Sequence, residues 1–212
     1  KVVAMTGDGI NDAPALRAAD IGIAMGESGT AVAREVADLV LERDNIDSMF
    51  DAIREGRAAY RNLKRSVRFF IVTNFSDMIA TAAVLPFGWG GILAAARPFQ
   101  ASLLSDLAPG LALLSEPQNP AIAEEPPRKR HEPFFKARES AGMVVESAVI
   151  AGSGIAAGLY GLMRYGPGRP AATLMFETLA AAKALHALTC RPLTPEKPTT
   201  ASAGRLRNPF LG

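Results

Sequence analysis

A single cysteine, Cys190, stands in 212 residues, so no internal disulfide can form and a disulfide-stapled scaffold is excluded. Aromatic residues make up only 7% and tryptophan occurs once. Charge of one sign is also lacking. The 23 Lys+Arg against 21 Asp+Glu leave +2, and bulk charge therefore does not mark a nucleic-acid binder; no nucleic-acid partner is expected. Charged residues at 21% lie a little below the usual quarter while hydrophobic residues reach 49%, which excludes global disorder.

What the sequence has in quantity is long apolar runs. Phe69–Phe87 and Ala141–Met163 each carry one carboxylate, Ala171–Cys190 is of similar length, and Phe99–Leu114 is shorter and interrupted by proline. A bilayer core about 30 Å thick takes roughly twenty apolar residues in a helix. Four membrane spans are expected, over 69–87, 98–114, 141–163 and 171–190, with a soluble bundle of buried helices as the alternative. Loop charge favours the membrane. With residues 1–68 cytoplasmic, the inner segments hold Arg57, Arg61, Lys64, Arg65 and Arg68, then Arg128, Lys129, Arg130, Lys136 and Arg138, then Arg191, Lys197, Arg205 and Arg207. The outer loops hold only Arg97, Arg164 and Arg169, the bias expected of a multi-pass protein. A plasma-membrane location is the expectation.

The first third is different in kind. Val2–Thr6 suits a buried parallel strand and leads into Thr6-Gly7-Asp8-Gly9-Ile10-Asn11-Asp12-Ala13-Pro14-Ala15-Leu16. Gly7 and Gly9 permit a tight loop, and Asn11 or Asp12 can cap a helix with Pro14 in its first turn. Ile21–Met25 and Leu39–Leu41 read as further strands, with a helix over Thr30–Ala37 between them. Alternation of this kind gives a parallel α/β sheet, whose ligands lie beyond the carboxyl ends of the strands. Asp8, Asn11 and Asp12 fall there. Two carboxylates and an amide suit Mg²⁺, which bridges to phosphate; the plainer reading is a loop held by Asx turns.

Thr6–Leu16 resembles the TGDGxNDAPAL signature of P-type cation-transporting ATPases. The order of the downstream elements is similar too: a Gly-containing strand, Ala19–Gly26, and then a long helix entering the membrane. The resemblance implies an α/β haloacid-dehalogenase-like partial domain followed by an all-α transmembrane bundle. It implies 1–45 as the end of a phosphorylation domain, 46–68 as a cytosolic stalk helix, 69–190 as the bundle with a cytosolic loop at 115–138, and 191–212 as a linker into a further membrane segment. It also implies Asp8, Asn11 and Asp12 as catalytic residues, Gly7, Asp8 and Gly9 as cofactor contacts, and Mg²⁺ on Asp8 with support from Asp12. ATP is held mainly by parts of the family's proteins that have no counterpart here. The phosphorylated aspartate of DKTGT, the nucleotide-binding and actuator domains and the first four spans are not in the sequence. With its start at Lys1, the chain is expected to be a fragment, inactive alone, whose partners are those domains, a lipid bilayer and the transported cation.

Polar groups inside the spans are costly and face a partner or a cavity. Asn74 and Asp77 are three residues apart and share a face of the first span, as do Ser102, Ser105 and Asp106 on the second. Pro109 removes the donor that would bond the Ser105 carbonyl, the discontinuous-helix device by which transporters coordinate cations. An all-oxygen set suits a hard cation, Ca²⁺ first and Mn²⁺, Mg²⁺, Na⁺ or H⁺ after it, rather than Cu⁺ or Zn²⁺. These strings are similar to the ion-binding stretches of calcium pumps. Such pumps with two sites carry Glu at Asp77, Asn at Ser102, Thr at Ser105 and a further Glu near Ala180, and these departures leave the ion unassigned. Lys183 and His186 lie deep in the last span, with two readings open: pairing with Asp77 or Asp106 so as to displace an ion charge, or a polar seam. Glu146 is expected to snorkel or pair, Glu177 lies near the outer end, and Gly154 and Gly158 form a GxxxG packing face.

The function expected is the C-terminal part of an ATP-driven pump working through an aspartyl-phosphate. The alternatives are a membrane-anchored phosphohydrolase without transport and a degenerate pump kept as a scaffold.

Overall fold

The computed structural model describes residues 2–84, 97–117, 128 and 131–191, and within them the side chains of all but 46 and 97–105. The end of the first expected span at 85–87, half of the loop at 115–138 and all of the linker beyond 191 lie outside the described residues. The chain divides into two compact units, Lys1–Ala58 with Asn119–Pro133, and Ala59–Gln118 with Phe134–Gly212.

The first unit holds three short parallel strands in the order β1 (Ala4–Gly7), β2 (Ile21–Ala24) and β3 (Leu39–Val40). Ala4 pairs with Ile21 and Gly7 with Ala24; Ile23 pairs with Leu39. A single 3₁₀ turn at Ile10–Asp12 leads into helix α1 (Ala13–Ala18), which has Pro14 in its first turn where a missing N–H costs nothing. Helix α2 (Ala31–Val36) starts at Thr30, whose hydroxyl accepts the Ala33 N–H. Leu16, Ala24 and Ala33 form the core between the sheet and these helices. Gly22 cannot carry a side chain, since a Cβ there would lie 2.6 Å from the Leu16 carbonyl oxygen.

Helix α3 runs over Ile46–Val84, 39 residues with no proline. From Ala59 onward it belongs to the second unit, with α4 (Arg97–Leu114), α5 (Ala137–Tyr165) and α6 (Arg169–Thr189). Among the described residues two helices are long and apolar enough to cross a membrane, the one over Asp47–Val84 and α5. On the second unit several large apolar side chains are exposed, among them Phe75, Met78, Val144, Val145, Val149 and Leu185. Its interior keeps polar groups, Asn62, Ser66, Thr73, Ser76, Ser147, Asp106 and Lys183.

Helices α5 and α6 pack closely. A Cβ on Gly154 would stand 2.5 Å from Leu179 Cγ, and one on Gly161 would stand 2.8 Å from Ala171 Cα. Gly158 meets the Met175 side chain in the same way, so the glycine spacing lets the backbones approach. Val72, Ala80, Val84, Met143, Ile150, Met175 and Leu179 complete that core. The interruption expected at Pro109 is absent. Helix α4 is continuous through it, although proline still donates nothing to the Ser105 carbonyl.

Candidate functional site

In the first unit five aspartates serve different tasks. Asp12 Oδ2 accepts the N–H groups of Asp8 and Gly9 at 3.2 and 3.0 Å, and so closes the loop after β1 on itself. Asp20 accepts the Val3 N–H, Asp38 the Gly22 N–H, and Asp44 the Glu27 and Ser28 N–H groups. Asp8 is different: its backbone carbonyl accepts the Thr30 N–H, while its carboxylate is exposed and makes no hydrogen bond among the described residues. Gly7 is buried, and a Cβ there would lie 2.6 Å from Asp12 Cβ, so the loop closes only around glycine. The plain Asx reading therefore describes Asp12 and does not describe Asp8. Asn11 is exposed beside it. No group of three or more acidic, His or Cys side chains suited to a metal occurs among the described residues. A free carboxylate at a strand's carboxyl end still fits Mg²⁺, which takes one or two protein carboxylates and fills its shell with waters and phosphate.

In the second unit three helices each bring a charged group to one point. Asp77 from α3 and Asp106 from α4 both accept from Lys183 of α6, with Nζ at 2.6 Å from Asp77 Oδ2 and 3.1 Å from Asp106 Oδ2. Lys183 is 2% exposed and Asp106 is buried. The two carboxylates expected to meet are thus brought together, and the open question about Lys183 is answered in favour of pairing. Asn74 is not part of the group. It is exposed, and its amide donates to the Phe70 carbonyl of its own helix at 2.7 Å. Residues three apart are about 60° apart around a helix, and here that angle separates an outer face from an inner one. Ser102 and Ser105 lie on α4, but their side chains are outside the described residues.

Residues not singled out by sequence line the same interior. Thr73 and Ser76 are fully buried and donate to the Phe70 and Thr73 carbonyls. Ser147 donates both to Met143 in its own helix and to Val72 across the α3–α5 interface. Asn62 donates to the Leu114 and Glu116 carbonyls and Ser66 to the Gly110 carbonyl, which ties α3 to the end of α4. Their signal was polarity within an apolar run, a weak one because a helical Ser or Thr can satisfy itself on its own backbone.

A second charged group forms around Arg68 of α3. Arg68 pairs with Glu146, His186 Nε2 stands 3.9 Å from Glu146 Oε2, and Cys190 Sγ contacts His186 at 3.6 Å. Glu146 therefore pairs, as one of its two readings had it, and His186 belongs to this group rather than to Asp77 and Asp106. One helical turn away Lys64 holds Glu139 at 2.8 Å.

Comparison with known proteins gives the family. The family model for the C-terminus of cation-transporting ATPases matches residues 101–211, just over half of the chain. A calcium-transporting ATPase of Bacillus cereus is 42% identical over 134 residues, 63% of this chain and 15% of that protein. One of Listeria monocytogenes is 36% identical over 191 residues, covering 90% of this chain and 21% of that protein. An endoplasmic reticulum-type calcium-transporting ATPase of Arabidopsis thaliana is 42% identical over 129 residues, 61% of this chain and 12% of its own length. The chain thus spans about a fifth or less of the relatives it matches. It belongs to the P-type cation-transporting ATPases, and the region of that family it corresponds to is the C-terminus.

Proposed function

We propose that the chain forms the C-terminal part of an ATP-driven pump that carries a hard cation, Ca²⁺ first, across a membrane through an aspartyl-phosphate intermediate. The observation that carries this reading is the convergence of Asp77 and Asp106 on one buried point between three helices. A mere anchor has no use for two carboxylates in an apolar interior, where each is costly. Oxygen is the donor they offer, with Ser102, Ser105 and the Ser105 carbonyl set on the same stretch of α4, and oxygen suits Ca²⁺ or Mn²⁺. The names of the relatives favour Ca²⁺.

In this reading 1–45 is the edge of a haloacid-dehalogenase-like phosphorylation domain. Mg²⁺ held there neutralises charge on the transferring phosphoryl group. Asp8 is the residue to hold it, Asp12 and the glycines on either side of Asp8 keep its loop in shape, and Asn11 orients a phosphate oxygen. The phosphorylated aspartate, the ATP site and the remaining spans are supplied by the rest of such a pump. Residues 46–68 act as a stalk. A stiff helix of 39 residues, about 58 Å long, carries movement of the phosphate site towards Asp77. Four spans, a cytoplasmic 1–68 and a plasma-membrane location complete the proposal.

The test is phosphoenzyme formation and ATP hydrolysis by the full-length protein, screened against Ca²⁺, Mn²⁺, Mg²⁺, Na⁺ and H⁺. Stimulation by one hard cation is expected. Activity indifferent to all five points instead to a phosphohydrolase without transport.

A further inference from the structure

The three strands run parallel, so the loops that follow them, 8–12, 25–30 and 41–45, lie at one edge of the sheet. The middle loop is fastened to both of the others. On one side the Thr30 N–H donates to the Asp8 carbonyl at 2.8 Å and the Met25 N–H to the Gly7 carbonyl at 3.3 Å. On the other, Asp44 accepts the Glu27 N–H on Oδ1 at 3.1 Å and the Ser28 N–H on Oδ2 at 2.6 Å. We infer that Asp44 is a positioning residue for the Mg²⁺ carboxylate: its grip on the 25–30 loop fixes Thr30, and Thr30 fixes the backbone of Asp8. The inference rests on the reading of Asp8 as the Mg²⁺ residue.

The Asp8 carboxylate makes no hydrogen bond among the described residues, so its place is set by its backbone. That backbone is held at two points, the N–H by Asp12 Oδ2 within the loop and the carbonyl by Thr30 from the next loop. Gly29 alone separates Ser28 from Thr30, and there is no slack: a Cβ on it would lie 1.9 Å from the Met25 carbonyl oxygen. A Cβ on Gly26 would lie 1.9 Å from the Leu41 carbonyl oxygen, so the loop is pressed against the segment that leads to Asp44. A carboxylate that takes one N–H on each oxygen sets the direction of a loop as well as its distance.

Position separates this contact from an ordinary tie of the fold. Asp20 and Asp38 also accept backbone N–H groups, those of Val3 and Gly22. Each of the two stands just before a strand and works at the amino edge of the sheet, away from the edge where ligands of parallel sheets bind. Asp44 follows the last strand at the carboxyl edge. Its grip on Ser28 ends two residues from the donor that holds Asp8. Groups that orient a metal ligand set affinity almost as the ligand does, and their loss typically weakens the metal by about 10–100-fold.

The experiment uses full-length protein with Mg²⁺ as the probe. Half-saturating Mg²⁺ is read in two ways, from protection of the amides of residues 7–13 against exchange without ATP, and from phosphoenzyme formed with it. Wild type is compared with Asp44→Ala, Asp44→Asn, Asp38→Ala and Asp8→Asn. Asp44→Ala is expected to raise half-saturating Mg²⁺ by about tenfold in both readings and to speed amide exchange at Thr30 as well as at 27–28. Asp44→Asn, which keeps one acceptor oxygen, should fall between it and wild type. Asp38→Ala should speed exchange at Gly22 and leave half-saturating Mg²⁺ where it was. Wild-type Mg²⁺ dependence in Asp44→Ala overturns the inference, as does faster exchange confined to 27–28. An equal rise in Asp38→Ala makes the effect a general loosening of the sheet and overturns it too. Should Asp44→Ala fail to fold, wild-type half-saturation in Asp44→Asn overturns it by itself. Unchanged Mg²⁺ dependence in Asp8→Asn removes the Mg²⁺ reading of Asp8 altogether. Lost dependence there, with Asp44→Ala like wild type, removes only the role of Asp44.

Discussion

Lys183 Nζ lies 2.6 Å from Asp77 Oδ2, joining α6 to α3 across 106 residues of sequence. The pair is largely buried, and Asp106 shares the same ammonium. Removing one partner of a buried ion group leaves its neighbours uncompensated, at a cost of about 3–5 kcal/mol. Lys183→Met is therefore expected to lower the unfolding midpoint of the purified protein substantially. Adding Asp77→Asn to it should recover part of the loss, since one like charge is removed; equal midpoints for the single and double variants would count against the charge argument.

The loop at Asp8 predicts a division of labour. Asp8→Asn touches no hydrogen bond of the described structure, so thermal stability should stay within about 0.5 kcal/mol while Mg²⁺-dependent turnover of the full-length protein is lost. Asp12→Ala frees the Asp8 and Gly9 N–H groups and should cost about 1–2 kcal/mol, with faster amide exchange across residues 7–13. The same effect from both variants would dissolve the distinction.

Asp44 gives a pH dependence. Its exposed carboxylate interacts first with the Ser28 hydroxyl and then accepts the Glu27 and Ser28 N–H groups, which holds it below its ordinary range. A folded-state value below the unfolded one contributes stability that is present above the unfolded value, near 3.9, and lost as pH falls through the folded one. Amide exchange at residues 27–28 should therefore accelerate below about pH 4 relative to Asp44→Asn, in which that acid limb is missing. Matching profiles would show the contact to be without weight.

The glycines of α5 are not equivalent. Gly154→Val and Gly161→Val force a side chain into Leu179 or Ala171, an overpacking that typically costs about 1–3 kcal/mol. Gly152→Ala meets nothing within 4 Å and should be neutral or slightly stabilising through helix propensity. Unfolding midpoints in detergent separate the three.

The parallel strands and the helix starting near Pro14 were legible because each leaves a local mark, a short apolar run or a turn residue. Asp77 and Asp106 were legible for a different reason, since a carboxylate among apolar residues needs a partner wherever the helix turns. The direction in which each side chain points was not. In a helix apolar on every side the sequence carries little contrast between lipid and interior, so nothing told the Asn74 face from the Asp77 face. Asn74 also has a local solution, the Phe70 carbonyl, which no spacing rule weighs. Lys183 and His186 looked alike for the same reason. Only packing sends one to Asp77 and Asp106 and the other to Glu146.

The central claim is that the carboxylates at the meeting of α3, α4 and α6 bind the transported cation. It is tested most directly by measuring phosphoenzyme formed from ATP against Ca²⁺ concentration in full-length protein, wild type beside Asp106→Asn. Loss of the acid should move half-maximal stimulation upward by about tenfold or more while the protein stays folded. Two superimposable curves would contradict the account.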